Sequence, residues 1–147
     1  MRTTIPRGFT FTNCFVCGPD NARGLHLVFE RDDDEVLATF TPPLEYGGYG
    51  TILHGGLTST LLDEAMAWAV YGLLDRLSLT KELRVRFLGP LRCGEELTVT
   101  GSIVSFDRDG AETRAAVKDP SGVVRAEGTG VMRFVSSQAV ERLAGPG

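Results

Sequence analysis

Cysteine and histidine are scarce in this chain, which has three cysteines and two histidines among 147 residues. Its N-terminus lacks the apolar core of a secretory signal peptide. We therefore expect a cytoplasmic protein whose cysteines stay reduced, because disulfides form mainly in exported proteins. No lysine-serine pair follows the glycine-rich loop at 47–50, so the sequence does not predict a phosphate-binding P-loop there.

An excess of basic residues is also absent. The net charge is −4 and the isoelectric point is about 5.2, whereas nucleic-acid-binding proteins usually carry a basic face. We therefore expect no nucleic-acid partner. An anionic small ligand held by a local basic patch remains compatible with this charge.

The longest apolar stretch, residues 57–74, is long enough to span a membrane. It carries Asp63 and Glu64 near its middle, and two carboxylates at that depth make insertion into lipid costly. We interpret the stretch as a helix buried in protein and expect no membrane partner.

The order of periodic segments predicts a single domain over residues 1–147. Turn-forming, polar or small residues predict an irregular N-terminal segment over 1–24 and a fraying tail over 136–147. Between them, hydrophobic periodicity predicts two strands, one helix and then four strands in a meander. The predicted elements are strands at 25–31 and 36–41, a helix from about Gly55 to Leu74, and strands starting near 79, 96, 111 and 123. This order predicts an α+β fold in which an antiparallel sheet wraps around one long central helix.

The first strand after the helix alternates between apolar and charged residues. Leu79, Leu83, Val85 and Phe87 would all lie on one face of a regular strand. Gly89 and Pro90 then interrupt the pattern.

The start of the helix carries the strongest indication of function. Gly55 and Gly56 leave backbone N–H groups bare at a helix N-terminus, where an anion or a developing oxyanion is favoured. Eight residues further along, Asp63 places a carboxylate in an apolar helix, which is costly unless the group has a partner or a task. Together these features predict an active site.

These residues carry a resemblance to a known family. The run His54-Gly55-Gly56, the acid nine residues after the histidine and the strand 79–91 with its terminal proline resemble the hotdog fold. More specifically, the region 25–135 resembles acyl-CoA thioesterases of the phenylacetate-degradation (PaaI-like) type. The resemblance implies hydrolysis of an acyl-CoA to CoA and a carboxylic acid, without a metal or other cofactor.

The resemblance also assigns roles to single residues. Asp63 falls at the family's catalytic carboxylate, and Thr80 matches a position whose hydroxyl orients water or the carboxylate. The family often has an asparagine six residues before the histidine, where this chain has Gly48. Tyr46 or Tyr49 would then have to replace that asparagine, or the activity is reduced or different.

Thioester hydrolysis needs a donor for the carbonyl oxygen and a base or nucleophile for the carbonyl carbon. The N–H groups of Gly55 or Gly56 suit the first task, and Asp63 suits the second as general base or as nucleophile. Glu64 is the rival base, but it points about 100° away around the helix and is expected to meet a basic residue or solvent. His54 has either a structural, carbonyl-orienting role or a role in proton transfer.

The spacing along the helix predicts an oligomer. Asp63 lies roughly 12 Å from Gly55 at about 1.5 Å of rise per residue, so one carbonyl cannot contact both groups of one chain. We expect a homodimer with antiparallel helices and two sites across its interface, with a homotetramer as the open alternative.

Further residues are candidates for substrate binding. Gly48 and Tyr49 belong to the flexible loop before the helix, and Arg92 is suited to CoA phosphates. Arg84 and Arg86 share that chemistry, but a solvated strand face is the simpler interpretation. The side chains of Met66, Trp68 and Tyr71 are expected in the core, with lining of the acyl pocket as the alternative.

Cys14 and Cys17 have the spacing of a metal knuckle. A structural zinc ion needs four ligands, and the further candidates are only Cys93, His26 and His54. We therefore expect no metal and interpret the two cysteines as packed around a turn. Their segment also resembles an N-terminal extension found in a subset of hotdog proteins, to which no chemistry is attached.

Two other functions stay open on the sequence alone. The glycine at position 48 is compatible with a non-catalytic acyl-CoA-binding hotdog protein. A hotdog dehydratase or hydratase also pairs a histidine with an acid, although the usual motif contexts of those enzymes are absent here.

Overall fold

The computed structural model describes residues 1–9 and 11–145. Its strands are β1 (Arg2–Thr4), β2 (Glu30–Asp32), β3 (Glu35–Phe40), β4 (Leu77–Phe87), β5 (Leu97–Phe106), β6 (Gly110–Lys118) and β7 (Val124–Val135). Its helices are α1 (Gly55–Leu74), between β3 and β4, and α2 (Ser137–Ala144). All strand pairs are antiparallel, in the order β1-β2-β3-β5-β6-β7-β4. The α+β hotdog architecture is confirmed, because α1 packs against β3, β4, β5, β6 and β7.

Helix α1 has the bounds that the sequence predicts. Alanine, leucine and methionine favour the helix beyond its first turns, and it ends at Leu74, before the C-cap Asp75, which adopts a left-handed conformation at φ 55°. Its buried residues surround most of its circumference, as expected for a helix inside a curved sheet: Thr58, Leu61, Leu62, Ala65, Met66, Trp68, Ala69 and Val70. Among the described residues, no helix combines the length and hydropathy needed to cross a membrane.

Helix α1 and the sheet approach each other closely at Gly101 in β5. A Cβ atom built there would lie 2.3 Å from the backbone oxygen of Ala65, at the middle of α1. Only glycine fits at this position, because a real Cβ atom would overlap the backbone of α1 and neither backbone can move without disturbing its neighbours.

Replacing Gly101 by alanine is expected to destabilise the protein by about 1–3 kcal/mol, the usual cost of overpacking a core. Urea unfolding would show it as a lower midpoint with an unchanged slope. Gly48→Ala is the matched control, because its Cβ would meet no atom closer than 3.5 Å. Equal midpoints for the two variants would contradict this account of the helix–sheet contact.

Three short regions differ from the sequence prediction. Residues 2–4 form β1 and pair with β2, although the whole of 1–24 is predicted irregular. Of the predicted strand 25–31, only residues 30 and 31 pair in the sheet, as part of β2, because Leu25 and Leu27 instead bond to the backbone of residues 15 and 16. The alternation of apolar and polar residues in this stretch reflects burial of the apolar side chains under the N-terminal segment, not pairing in the sheet.

The third region is the C-terminal tail, which forms α2 rather than fraying; residues 146 and 147 of that predicted tail lie outside the described residues. Ser136 is the N-cap of α2, and its side chain accepts a hydrogen bond from the N–H of Ala139 at 3.1 Å. A serine followed by helix-forming residues is a recognisable helix start.

A β-bulge in β4 corrects the predicted strand face. The pairing with β7 shifts between Thr80 and Glu82, so that Lys81 is an extra residue. Thr80 therefore lies opposite the fully buried Met132 on the helix side of the sheet, while Leu79 lies opposite Arg133 on the outer side. Leu79 thus does not share a face with Leu83, Val85 and Phe87, because a bulge reverses the alternation beyond it.

Candidate active site

His54 is the N-cap of α1 and arranges the first turn of the helix. The N–H of Gly56 donates to His54 Nδ1 at 2.9 Å. The N–H groups of Leu57 and Thr58 donate to the backbone oxygen of His54 at 3.0 and 3.1 Å. Because Nδ1 accepts a hydrogen bond, the proton of the neutral imidazole is placed on Nε2. His54 is thus engaged as a cap, and its Nε2 is a donor.

The structure distinguishes the two glycines. The N–H of Gly56 is taken up by His54, whereas the N–H of Gly55 has no hydrogen-bond partner among the described residues. Gly55 is the first residue of the helix, where the positive end of the helix dipole adds to the N–H. Gly55 therefore presents a free donor for an anionic or polarised oxygen.

Asp63 and Thr80 are brought together by the bulge in β4. The Thr80 hydroxyl donates to Asp63 Oδ1 at 2.5 Å. Asp63 is half-buried on α1 and Thr80 is exposed on β4. Within the described part of the chain, the second carboxylate oxygen of Asp63 has no hydrogen-bond partner.

The two parts of the candidate site, the Asp63–Thr80 pair and the helix start at Gly55, both lie along β4, which is an edge strand. Thr80 lies near one end of the strand, and Phe87 lies at the other, with its ring 3.4 Å from the position of a Cβ on Gly55. Apolar side chains are exposed on this edge strand, including Leu79 at 47% and Phe87 at 59%. Gly55 and Asp63 remain eight residues apart on one helix, about 12 Å along its axis.

The loop before α1 lies beside His54. The N–H of Gly48 donates to the backbone oxygen of Ile52 at 2.7 Å, and a Cβ on Gly48 would lie 3.5 Å from His54 Cα. There is thus room for a side chain next to the imidazole. Tyr49 in the same loop is 89% exposed. Tyr46 instead stacks on Phe40 with ring centroids 6.4 Å apart.

Arg92 is also near the helix start. Its backbone pairs with Ile52, and its guanidinium donates to the hydroxyl of Thr51 at 3.1 Å. Arg84 and Arg86 lie on the outer side of the sheet, where Arg86 forms an exposed ion pair with Glu127 at 3.4 Å. The arginine that the fold brings to the helix entrance is therefore Arg92.

Glu64 points away from Asp63, as its position on the helix predicts, but its partners differ from the predicted basic residue or solvent. The indole N–H of Trp68 donates to Glu64 Oε1 at 3.1 Å, and the same oxygen lies 3.5 Å from Cys14 Sγ. Burial raises the pKa of Glu64 to about 7. Glu64 thus belongs to a separate cluster against the N-terminal segment.

Cys14 and Cys17 complete that cluster. A hydrogen bond from the Cys17 thiol lowers the pKa of Cys14 to about 5, and the same bond, together with burial, raises the pKa of Cys17. Trp68 and Met66 are buried, as predicted, and Trp68 stacks on Phe29 with centroids 5.4 Å apart. No part of this cluster contacts the Asp63–Thr80 pair through a hydrogen bond among the described residues.

Comparison with known proteins identifies the family. The family model of the thioesterase superfamily matches residues 50–126, which include the helix entry, Asp63 and Thr80. The chain belongs to the thioesterase superfamily. An uncharacterized Schizosaccharomyces pombe protein is 34% identical over 69 residues, which are 46% of this chain and 39% of that protein. The chain thus spans about two fifths of the length of the curated relative that it matches.

Solved structures of the thioesterase superfamily share the fold. One superfamily member superposes with a TM-score of 0.75 and 28% identity, covering 85% of this chain and 61% of the other. The Escherichia coli PaaI protein, from the phenylacetic acid degradation operon, has a TM-score of 0.70 and 18% identity, covering 76% of this chain and 81% of the other. A hypothetical thioesterase of Streptococcus pneumoniae, solved with coenzyme A, has a TM-score of 0.68 and 21% identity, covering 74% of this chain and 84% of the other. The predicted resemblance to hotdog thioesterases is confirmed.

Proposed function

We propose that this protein is an acyl-CoA thioesterase, in which water cleaves the thioester bond and releases CoA and a carboxylic acid. The observation that carries the proposal is the carboxylate of Asp63, fixed by Thr80 at 2.5 Å, on the same helix that presents the free N–H of Gly55. A structure of similar fold with bound coenzyme A supports the substrate class.

The N–H of Gly55 stabilises the reaction's developing negative charge. As the thioester carbonyl is attacked, its oxygen becomes an oxyanion, and a fixed donor at a helix N-terminus stabilises that charge without reorganising. His54 holds the first turn in place through its bond to Gly56. Because the imidazole takes up the N–H of Gly56, the N–H of Gly55 is the donor left free at the helix start.

Asp63 acts on the carbonyl carbon. Its free carboxylate oxygen either accepts a proton from the attacking water or attacks the carbon itself. In the second route the C–S bond breaks, CoA leaves as the thiolate, and water hydrolyses the resulting mixed anhydride to the carboxylic acid and the free carboxylate of Asp63. Thr80 acts as a positioning residue, because its hydroxyl restrains the other oxygen of the same carboxylate. No metal ion or other cofactor enters either route.

Each site combines two chains in this proposal. Gly55 and Asp63 are too far apart on one helix to contact one carbonyl. An antiparallel homodimer brings Gly55 of one protomer close to Asp63 of its partner. The exposed apolar side chains on the edge strand β4, and the exposure of Thr80 beside it, support an interface at this edge.

The CoA moiety is held at the helix entrance. The guanidinium of Arg92, next to Thr51, suits a phosphate group because it offers several donors in one plane. The exposed ring of Tyr49 and the space beside Gly48 lie in the loop that faces the same entrance.

A panel of acyl-CoAs with a thiol-reactive dye tests the proposal directly. We expect release of free CoA thiol with at least one acyl-CoA. The second candidate is a non-catalytic acyl-CoA-binding protein, which the missing side chain at Gly48 favours. Ligand-induced thermal stabilisation without thiol release would support that candidate and contradict hydrolysis.

Gly48→Asn is expected to raise kcat by about tenfold or more. The resemblance places an asparagine at this position. Its amide, beside His54, would add a second hydrogen-bond donor near the thioester carbonyl. One oxyanion donor contributes on the order of 10²-fold to kcat. A Cβ fits there at 3.5 Å from the nearest atom. Gly48→Ala, which adds the Cβ without the amide, should not accelerate the reaction. Equal rates for both variants would contradict this role of the position.

A further inference from the structure

The N-terminal segment meets helix α1 at three groups that bind metal ions in other proteins. The thiols of Cys14 and Cys17 and the carboxylate of Glu64 each offer a ligand atom, and these three atoms all lie within 4.8 Å of one another. We refer to them as the Cys14–Cys17–Glu64 cluster. Mutual distances of this size suit ligands that share one tetrahedral ion.

The chain between the cysteines has the form of a metal-binding knuckle. The N–H groups of Val16 and Cys17 point at Cys14 Sγ, at 3.4 and 3.5 Å. The N–H of Gly18 closes the turn on the backbone oxygen of Cys14 at 2.9 Å, and a Cβ on Gly18 would lie 2.4 Å from the Cys14 nitrogen. Glycine is therefore required after the second cysteine, and the turn holds both sulfur atoms on one side.

The surrounding groups fit a cation. The Trp68 indole N–H holds Glu64 at 3.1 Å, and the Arg7 guanidinium donates to Cys17 Sγ at 3.2 Å and to Cys17 O at 2.9 Å. Hydrogen bonds of this kind, from groups that do not themselves touch the metal, orient the side chains that bind it. Two thiolates and a carboxylate carry roughly three negative charges, which a divalent cation and Arg7 together neutralise, as burial requires.

A cavity of about 160 Å³ opens on the cluster. Cys14, Cys17, Glu64 and Ser78 are among its lining residues. The Ser78 hydroxyl oxygen is buried and has no hydrogen-bond partner in the described ranges 1–9 and 11–145. A buried hydroxyl without a partner is unfavourable, so it indicates an additional polar ligand in the cavity, such as a metal-bound water.

We propose that the Cys14–Cys17–Glu64 cluster binds one zinc ion, with the fourth coordination position open to a water molecule in this cavity. Mixed thiolate and carboxylate ligands favour zinc among the common divalent ions. The ion fastens the N-terminal segment to α1 at the residue next to Asp63. Glu64 is the ligand that the spacing of cysteines and histidines along the sequence does not reveal.

Cobalt(II) titration of the reduced, metal-free full-length protein tests the site without an activity assay. We expect saturation at about one ion per chain, a thiolate-to-cobalt charge-transfer band in the near ultraviolet, visible bands of a tetrahedral ion, and displacement by zinc. Trp68 is the single tryptophan of the chain and bonds to Glu64. Its fluorescence should therefore change with the same stoichiometry.

Variants assign the ligands. Cys14→Ser and Cys17→Ser should each weaken binding about 100-fold or more, and Glu64→Gln should weaken it about tenfold or more while the thiolate band remains. Cys93→Ser is the control, because Cys93 lies outside the cluster, and it should bind as the wild type does. The proposal is overturned if the wild-type protein does not bind cobalt or zinc stoichiometrically. It is also overturned if Cys93→Ser weakens metal binding as much as the cluster variants do. The wild-type result decides even where a variant does not fold.

Discussion

Asp63→Asn is expected to lower kcat for acyl-CoA hydrolysis by about 10²–10⁴-fold, the usual contribution of a positioned base. An amide of nearly the same shape can neither take a proton from water nor attack the thioester. The asparagine keeps a side-chain oxygen that can accept the hydrogen bond of the Thr80 hydroxyl. In the wild-type protein that hydroxyl lies 2.5 Å from Asp63 Oδ1. The effect should therefore appear in kcat, with little change in KM or in the melting temperature.

Glu82→Gln is the matched control for this experiment. Glu82 is also a carboxylate near Thr80, but the bulge directs it to the outer side of the sheet, opposite Val131. It should retain wild-type kcat. Full activity in Asp63→Asn would contradict the assignment of the base, and loss of activity in Glu64→Gln alone would move that role to the neighbouring acid.

The sequence predicted helix α1 and its entry well. Local features decide both: strong helix formers, a histidine that caps the first turn and a glycine pair that exposes N–H groups. The division of roles within the entry was not predictable, because it depends on the rotamer of one side chain. The imidazole of His54 turns onto the N–H of Gly56 and leaves the N–H of Gly55 free.

The position of Thr80 shows where sequence patterns fail. Simple alternation puts Thr80 on the face opposite Leu83, away from the helix. The extra residue Lys81 reverses the alternation and brings the hydroxyl onto Asp63. A one-residue bulge costs little and leaves no compositional trace, so only the resemblance to the thioesterase family pointed to this residue.

The partners of Glu64 also lay beyond the sequence. Cys14 is 50 residues away along the chain, and nothing local to either residue indicates the contact. The irregular segment around Cys14 is held because Phe15 and Val16 accept backbone hydrogen bonds from Leu25 and Leu27, and because Val16 and Cys17 are buried. Such long-range packing sets which titratable groups meet, and periodicity does not report it.

Gly55→Pro is expected to lower kcat by about 10²–10³-fold, the usual cost of removing one oxyanion donor. Proline lacks the N–H that the proposal assigns to the oxyanion, and it is favoured at the first position of a helix. The preceding residue must be extended, and His54 meets that requirement with φ −58° and ψ 133°. The melting temperature should therefore stay equal or rise. Gly55→Ala keeps the N–H, fits beside Phe87 at 3.4 Å, and should retain most of the activity.

Mixing the two inactive variants tests whether each site combines two chains. In a heterodimer of Asp63→Asn and Gly55→Pro chains, one site has both substitutions and the other has neither. Random association makes half of the dimers heterodimers, so co-expression should restore about one quarter of wild-type activity. If Gly55 and Asp63 of the same chain served one site, every site would carry one substitution and mixing would restore nothing. Activity above that of either variant alone therefore requires a site shared between protomers, as the 12 Å rise between the two residues demands (about 1.5 Å per residue).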